Sequence, residues 1–161
     1  MAVDSQTATL RSNLTQGNPQ VRSSVLGANV VTSTVEVTAA ATAGSVYTML
    51  RIPTSARICF PSTLAFDDLA STGSPVLDIG LKAVNANITT DSDCLNDGIN
   101  CYTAASTANV VKDIANYGKQ AWEFTTATSD PTGFVDVTVT LRTADANTGG
   151  TITLTLVYTL D

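Results

Sequence analysis

The densest set of oxygen ligands in the chain is the run Asp91-Ser92-Asp93-Cys94-Leu95-Asn96-Asp97-Gly98. Alternating aspartates ahead of a glycine can cradle calcium, because a hard cation wants several oxygens from one loop. The spacing departs from an EF-hand, since Leu95 stands where the next ligand is needed and no Glu closes the loop. A capped turn whose Asp side chains satisfy backbone amides, with room for one helical turn over Asp93–Asn96 stopped by Gly98, accounts for the same residues more simply. Asp67 and Asp68 are adjacent, so a strand sends them to opposite faces, and they cannot converge on one bond as paired catalytic carboxylates must. Histidine is absent altogether, which removes the usual base for a serine or cysteine nucleophile and the commonest metal ligand. No Gly-x-Ser-x-Gly elbow is present, and Gly149-Gly150 lacks the Lys-Ser/Thr that would follow in a phosphate loop. The three cysteines fall short of a four-ligand zinc set. The expectation is a protein that is not an enzyme, with no catalytic residue, no metal and no cofactor.

The cysteines and aromatics have simpler roles. Cys59 lies in the apolar run ARICF and should pack as a small hydrophobe. Cys94 and Cys101 are near enough in sequence to cross-link in an oxidising medium, although reduced thiols are the expectation for a cytoplasmic product. Trp122 and Phe124 in KQAWEFTT share a face if that run is a strand. They form either a sugar-stacking platform or part of the core, and the scarcity of aromatics favours the core.

At 161 residues the chain fits one domain with a tail. Its charged content is only 14%, below the roughly 25% usual in soluble domains. The shortfall fits a protein that hides surface in an assembly, although Thr, Ser and Asn could supply the polarity. The net charge of −6 and eight scattered basic residues disfavour nucleic acid as a direct partner. MAVDSQTATL has neither the basic start nor the apolar core of a secretory signal. No stretch approaches the roughly 18 apolar residues of a membrane span, so no membrane partner is expected.

Threonine fills about one position in six and concentrates in alternating runs. Being β-branched and half polar, it suits the solvent side of a pleated sheet. Strands are expected at 30-38, at 45-52 ended by Pro53, at 56-66, at 76-84, at 119-127, at 134-143 and at 151-159. The third should be bulged at Pro61 and sit at a sheet edge. In 76-84, Leu77, Ile79 and Leu81 alternate with Asp78, Gly80 and Lys82, the signature of a half-buried strand. Residues 89-118 read as a long polar loop, and Asn147–Gly150 as a hairpin turn between the last two strands. Seven or eight short strands with Gly, Pro, Asn and Asp between them predict an all-β fold, an antiparallel β-sandwich of jelly-roll type. Residues 25-161 form that domain. Residues 1-24 precede it as a polar segment, either a disordered terminus or an extended N-terminal arm ordered against a neighbour. On the second reading, the arm's partner-binding residues are Val3, Leu10, Arg11, Leu14, Val21 and Arg22.

The strand AGSVYTMLRIP, then ARICFPSTLAFDDL, the strand VLDIGLKAVN, the turn DSDCLNDGI and the closing TITLTLVYT together give a recognisable pattern over residues 30-161. It resembles the capsid decoration or cement proteins of tailed bacteriophages, small virion structural proteins with a jelly-roll-like sandwich. Cys94 and Cys101 are not part of that pattern. The resemblance implies a virion location on the capsid exterior after synthesis in the host cytoplasm. It implies the major capsid protein as partner, with self-association as a homotrimer or, second, a dimer, and a mechanical role in clamping neighbouring coat subunits. The alternative is a carbohydrate-binding module of a phage tail or head fibre, which would need an exposed aromatic platform around Trp122, Tyr102 or Tyr117.

Overall fold

A computed structural model describes residues 22–23, 28–69, 73–84 and 88–160. The strands are β1 (Arg22–Ser23), β2 (Ala28–Val37), β3 (Val46–Pro53), β4 (Arg57–Phe66), β5 (Val76–Ala83), β6 (Asp91–Asn100), β7 (Ser106–Asn109), β8 (Phe134–Arg142) and β9 (Gly150–Thr159). They make two antiparallel sheets, one ordered β1-β2-β9-β4-β7 and the other β3-β8-β5-β6. From β2 onward every strand but β6 crosses to the sheet opposite its predecessor. The orders β2-β9-β4-β7 and β3-β8-β5-β6 are those of a jelly roll, in which two Greek keys wrap one core. The expected all-β sandwich is therefore the observed fold.

Period-2 alternation explains the core directly. Along β9, Ile152, Leu154 and Leu156 are fully buried while the threonines between them are not. They face Val135, Val137, Val139 and Leu141 of β8 and Leu77, Ile79 and Leu81 of β5 across the sandwich, all in one apolar cluster. Each such side chain contributes roughly 1.5–3 kcal/mol on burial. On the outside of the first sheet, Thr32 stands opposite Thr155 and Thr34 opposite Thr153, with hydroxyl oxygens 3.3 and 2.9 Å apart.

Six expectations about the elements fail, each for a physical reason. β4 is interior, because Thr63–Phe66 pairs with both β9 and β7. Pro61 is tolerated there because it falls where the register shifts between Cys59 and Thr63. The Ser62 hydroxyl takes over the broken ladder, accepting from Val157 N at 2.9 Å and donating to Cys59 O at 2.6 Å. β5 is buried on both faces over Leu77–Leu81, Asp78 and Gly80 included, since the Asp91–Ser92 backbone crosses over Gly80 on the outer side. Residues 89-118 are no loop, for they contain β6, β7 and a 3-10 turn at Ile114–Asn116. β6 takes in the whole acidic run, so no helical turn forms there; pairing with β5 overrides poor β propensity, at the cost of two register breaks. Residues 119-127 contain a 3-10 turn, Ala121–Phe124, because Gln120 and Glu123 close a capping box in which Gln120 N donates to Glu123 Oε2 at 2.6 Å. Asn147–Gly150 joins strands of different sheets, so it is a crossover and not a hairpin.

Candidate functional site

The outer face of the β3-β8-β5-β6 sheet carries a group of paired charges. Register puts Arg51, Asp136 and Lys82 in one row, Thr48, Thr138 and Gly80 in the next, then Val46, Thr140 and Asp78. Arg51 holds Asp136 in a two-pronged pair, Nε to Oδ1 at 2.7 Å and Nη2 to Oδ2 at 3.1 Å. The Asp91–Ser92 backbone arches over Gly80, where a side-chain carbon would meet Asp91 O at 2.2 Å. That cover buries Asp78, Thr138 and Thr140 although they face outward. Asp78 is satisfied by Gly98 N at 2.7 Å, with the Arg142 guanidinium 3.6 Å away. Lys112 pairs with Asp97 and holds that carboxyl below the usual range.

Asp93 moves the other way. Its hydrogen bond with the Asp91 carboxyl raises its pKa, with partial burial and the charge of Asp91 adding to the effect. A raised folded-state value means that the stabilising contribution is present at low pH and lost as pH rises through it. Asp93→Asn is therefore expected to raise Tm slightly at pH 7, with the gain gone by about pH 3, where the wild-type carboxyl is protonated anyway. Thermal melts of the two proteins at both pH values check this. Among the described residues no group of three or more Asp, Glu or Cys side chains is arranged to hold a metal ion. The acidic run forms β6, where Asp91 Oδ1 accepts from Asp93 N at 3.3 Å.

The thiols sit in or against the body of the sandwich. All three are free. Burial pushes Cys94 up to about 12 and Cys101 up to about 11. Their Sγ atoms donate to Asp91 O and Pro75 O respectively. Cys59 is half-buried, with its Sγ directed to Arg57 O. Trp122 is half-buried too, and its Nε1 donates to Gln120 Oε1 at 2.6 Å.

The β2-β9-β4-β7 face has the opposite character. Its outward rows are Thr34–Thr153–Ala65, then Thr32–Thr155–Thr63, then Val30–Val157–Cys59. These three rows hold no charged residue. Among the described side chains of β2, β9 and β4, charge stands at the two ends of this face, Glu36 and Asp67 beside Thr151 at one and Arg57 beside Thr159 at the other. Beside the Val157 end, Phe60 is 60% exposed and meets Tyr117 edge-on at 5.6 Å, while Ile114 is 65% exposed. At one end of the other sheet, Phe134 and Val84 are exposed as well.

Of the arm residues singled out from sequence, Val3, Leu10, Arg11, Leu14 and Val21 lie outside the described residues. Arg22 lies in β1, with its backbone opposite Asn29. Sequence reasoning missed Phe60, Ile114 and Phe134 as exposed surface. Their only signal is a large apolar residue beside a proline or in a polar, turn-like context.

No protein-family model matches the chain, and no curated protein matches it. Two solved structures share its fold. One, titled the capsid of Ralstonia phage GP4, aligns with a TM-score of 0.56 and 19% identity over 83% of this chain and 85% of that one. The other, titled the cyanophage Pam1 capsid asymmetric unit, aligns with a TM-score of 0.50 and 20% identity, also over 83% and 85%.

Proposed function

We propose that this chain is a structural protein of a tailed-phage virion. On this reading it binds the outer surface of the capsid as a decoration, or cement, protein and clamps neighbouring coat subunits. The observation that carries the reading is the jelly roll itself, whose solved neighbours over 83% of the chain belong to phage capsids. Residue chemistry points the same way: buried thiols with raised pKa values and carboxylates held by internal donors describe a wall better than a catalyst. The partners are the major capsid protein and further copies of this chain. The glycan-binding alternative draws no support from Trp122, whose ring is half-buried and tied to Gln120.

Residues 1-24 act as an arm that engages a neighbouring subunit, and Val3, Leu10, Arg11, Leu14, Val21 and Arg22 supply its apolar and cationic contacts. Ordering such a segment costs conformational entropy, which a repeated lattice offsets by multivalent attachment. A protein lacking residues 1-24 is expected to keep the wild-type circular dichroism spectrum. It should bind particles stripped of this chain at least about tenfold more weakly, a loss of roughly 1.4 kcal/mol. Co-sedimentation at graded protein concentration measures both affinities, and equal attachment would sink the arm's role.

A further inference from the structure

We propose that the outer face of the β2-β9-β4-β7 sheet is a pairing surface for a second copy of this chain, packed face to face with its strands reversed. This deepens the self-association named above and selects a twofold pair over a trimer. The charge layout is the argument. Between the Asp67 end and the Arg57 end lie three rows of threonine, valine, alanine and cysteine with no charge among them. A face that removes charge from its centre and keeps it at the margin is built like an interface core within a polar rim.

The margin is self-complementary in one arrangement. Asp67 and Arg57 sit at opposite ends of the same strand, β4. A twofold axis lying between the two sheets and perpendicular to the strands reverses one copy along its length and keeps β4 over β4. Arg57 of each copy then meets Asp67 of the other, so two ion pairs form per dimer. The row Thr32–Thr155–Thr63 lies midway and falls on the axis against itself. Such an isologous contact closes on two copies. The carboxyl of Asp67 already accepts from Thr151 N and Thr151 Oγ1, which hold it below its ordinary pKa, so it is anionic over the whole neutral range.

The face is at the small end for a specific pair. β2, β9 and β4 have ten residues each and β7 has four, so strands about 4.8 Å apart span on the order of 500 Å² in flat projection. Side-chain relief adds to this, against the roughly 800 Å² that each partner brings to a standard interface. Sheets packed face to face keep their strands within about 30° of alignment, which the reversed arrangement permits. The opposite sheet offers no equivalent, because the Asp91–Ser92 arch and the Arg51–Asp136 pair interrupt its outer surface.

Sedimentation equilibrium of the full chain over a hundredfold concentration range tests the pairing. The wild type is expected to be a dimer in the upper part of the range. Thr32→Lys places two like charges together at the axis and should weaken dimerisation at least about tenfold. Thr32 is exposed on the outer side of β2, with its hydroxyl beside that of Thr155, so circular dichroism should be unchanged. Arg57→Asp should weaken pairing, and adding Asp67→Arg in the same chain should restore it. A wild type that stays monomeric, a closed trimer, or a Thr32→Lys protein that pairs as tightly as wild type would each overturn the proposal. Particle attachment is scored separately. A dimer that ignores capsids keeps the pairing and sinks the virion reading, whereas a monomer that binds them does the reverse.

Discussion

Gly80→Ala is expected to leave little folded protein, with a loss of at least about 3 kcal/mol, because the position has no room for one more carbon. A side-chain carbon there would lie 2.2 Å from both Asp91 O and Ser92 C and 2.5 Å from Ser92 Cα. These are backbone atoms of the neighbouring strand, so no rotamer change relieves the clash. The only escape is to lift β6 off β5, which exposes Asp78 and unpairs the register at Ile79 and Leu81. Gly98→Ala supplies the control. Gly98 has open space around its missing side chain but a φ of +75°, so its cost is backbone strain alone, about 1 kcal/mol. Urea unfolding of the two variants separates these causes. Equal costs would mean that the arch over Gly80 yields freely and does not hold the outer face of that sheet closed.

Thr140→Val should do the reverse and stabilise the protein by about 1–2 kcal/mol. Thr140 is 4% exposed, and its Oγ1 finds no hydrogen-bond partner among the described residues. A buried hydroxyl without a partner has given up its water for nothing, and valine has the same shape without that penalty. Its neighbour Thr138 is equally buried, but its hydroxyl reaches Gly80 O at 3.4 Å, so Thr138→Val should gain less. For a chain of this size the Thr140 gain corresponds to a rise in Tm of roughly 2–6 °C. A lower Tm for Thr140→Val would show that the hydroxyl is satisfied and that the arch over this face is wetter than its burial implies.

Where one physical signal dominates, the fold was legible from sequence. β2, β8 and β9 alternate in sequence, apolar residues toward the sandwich core, and their bounds are recovered within a residue or two. Threonine as a solvent-exposed residue holds for β2 and β9 but fails at Thr138 and Thr140, which face outward and are buried. Nothing local to β8 reveals that Asp91 and Ser92 will cross above Gly80 on the strand beside it. β6 was hidden because DSDCLNDGIN has turn composition, and its pairing with β5 is a long-range effect that propensity cannot register. The turn at Ala121–Phe124 was legible in principle, since Gln120 and Glu123 stand at capping-box spacing, but the alternation of Ala121, Glu123 and Thr125 with aromatics masked it. The candidate surface was less legible than the fold. Rows such as Val30–Val157–Cys59 join residues more than a hundred positions apart, and only the strand order brings them together.

The central claim is that this chain is a repeated component of a capsid surface. Its copy number in purified virus particles, by quantitative mass spectrometry against the major coat protein, tests that most directly. A ratio close to a simple fraction of the coat count is the predicted result, as expected of a protein that occupies equivalent lattice positions. A handful of copies per particle, or none, would contradict it.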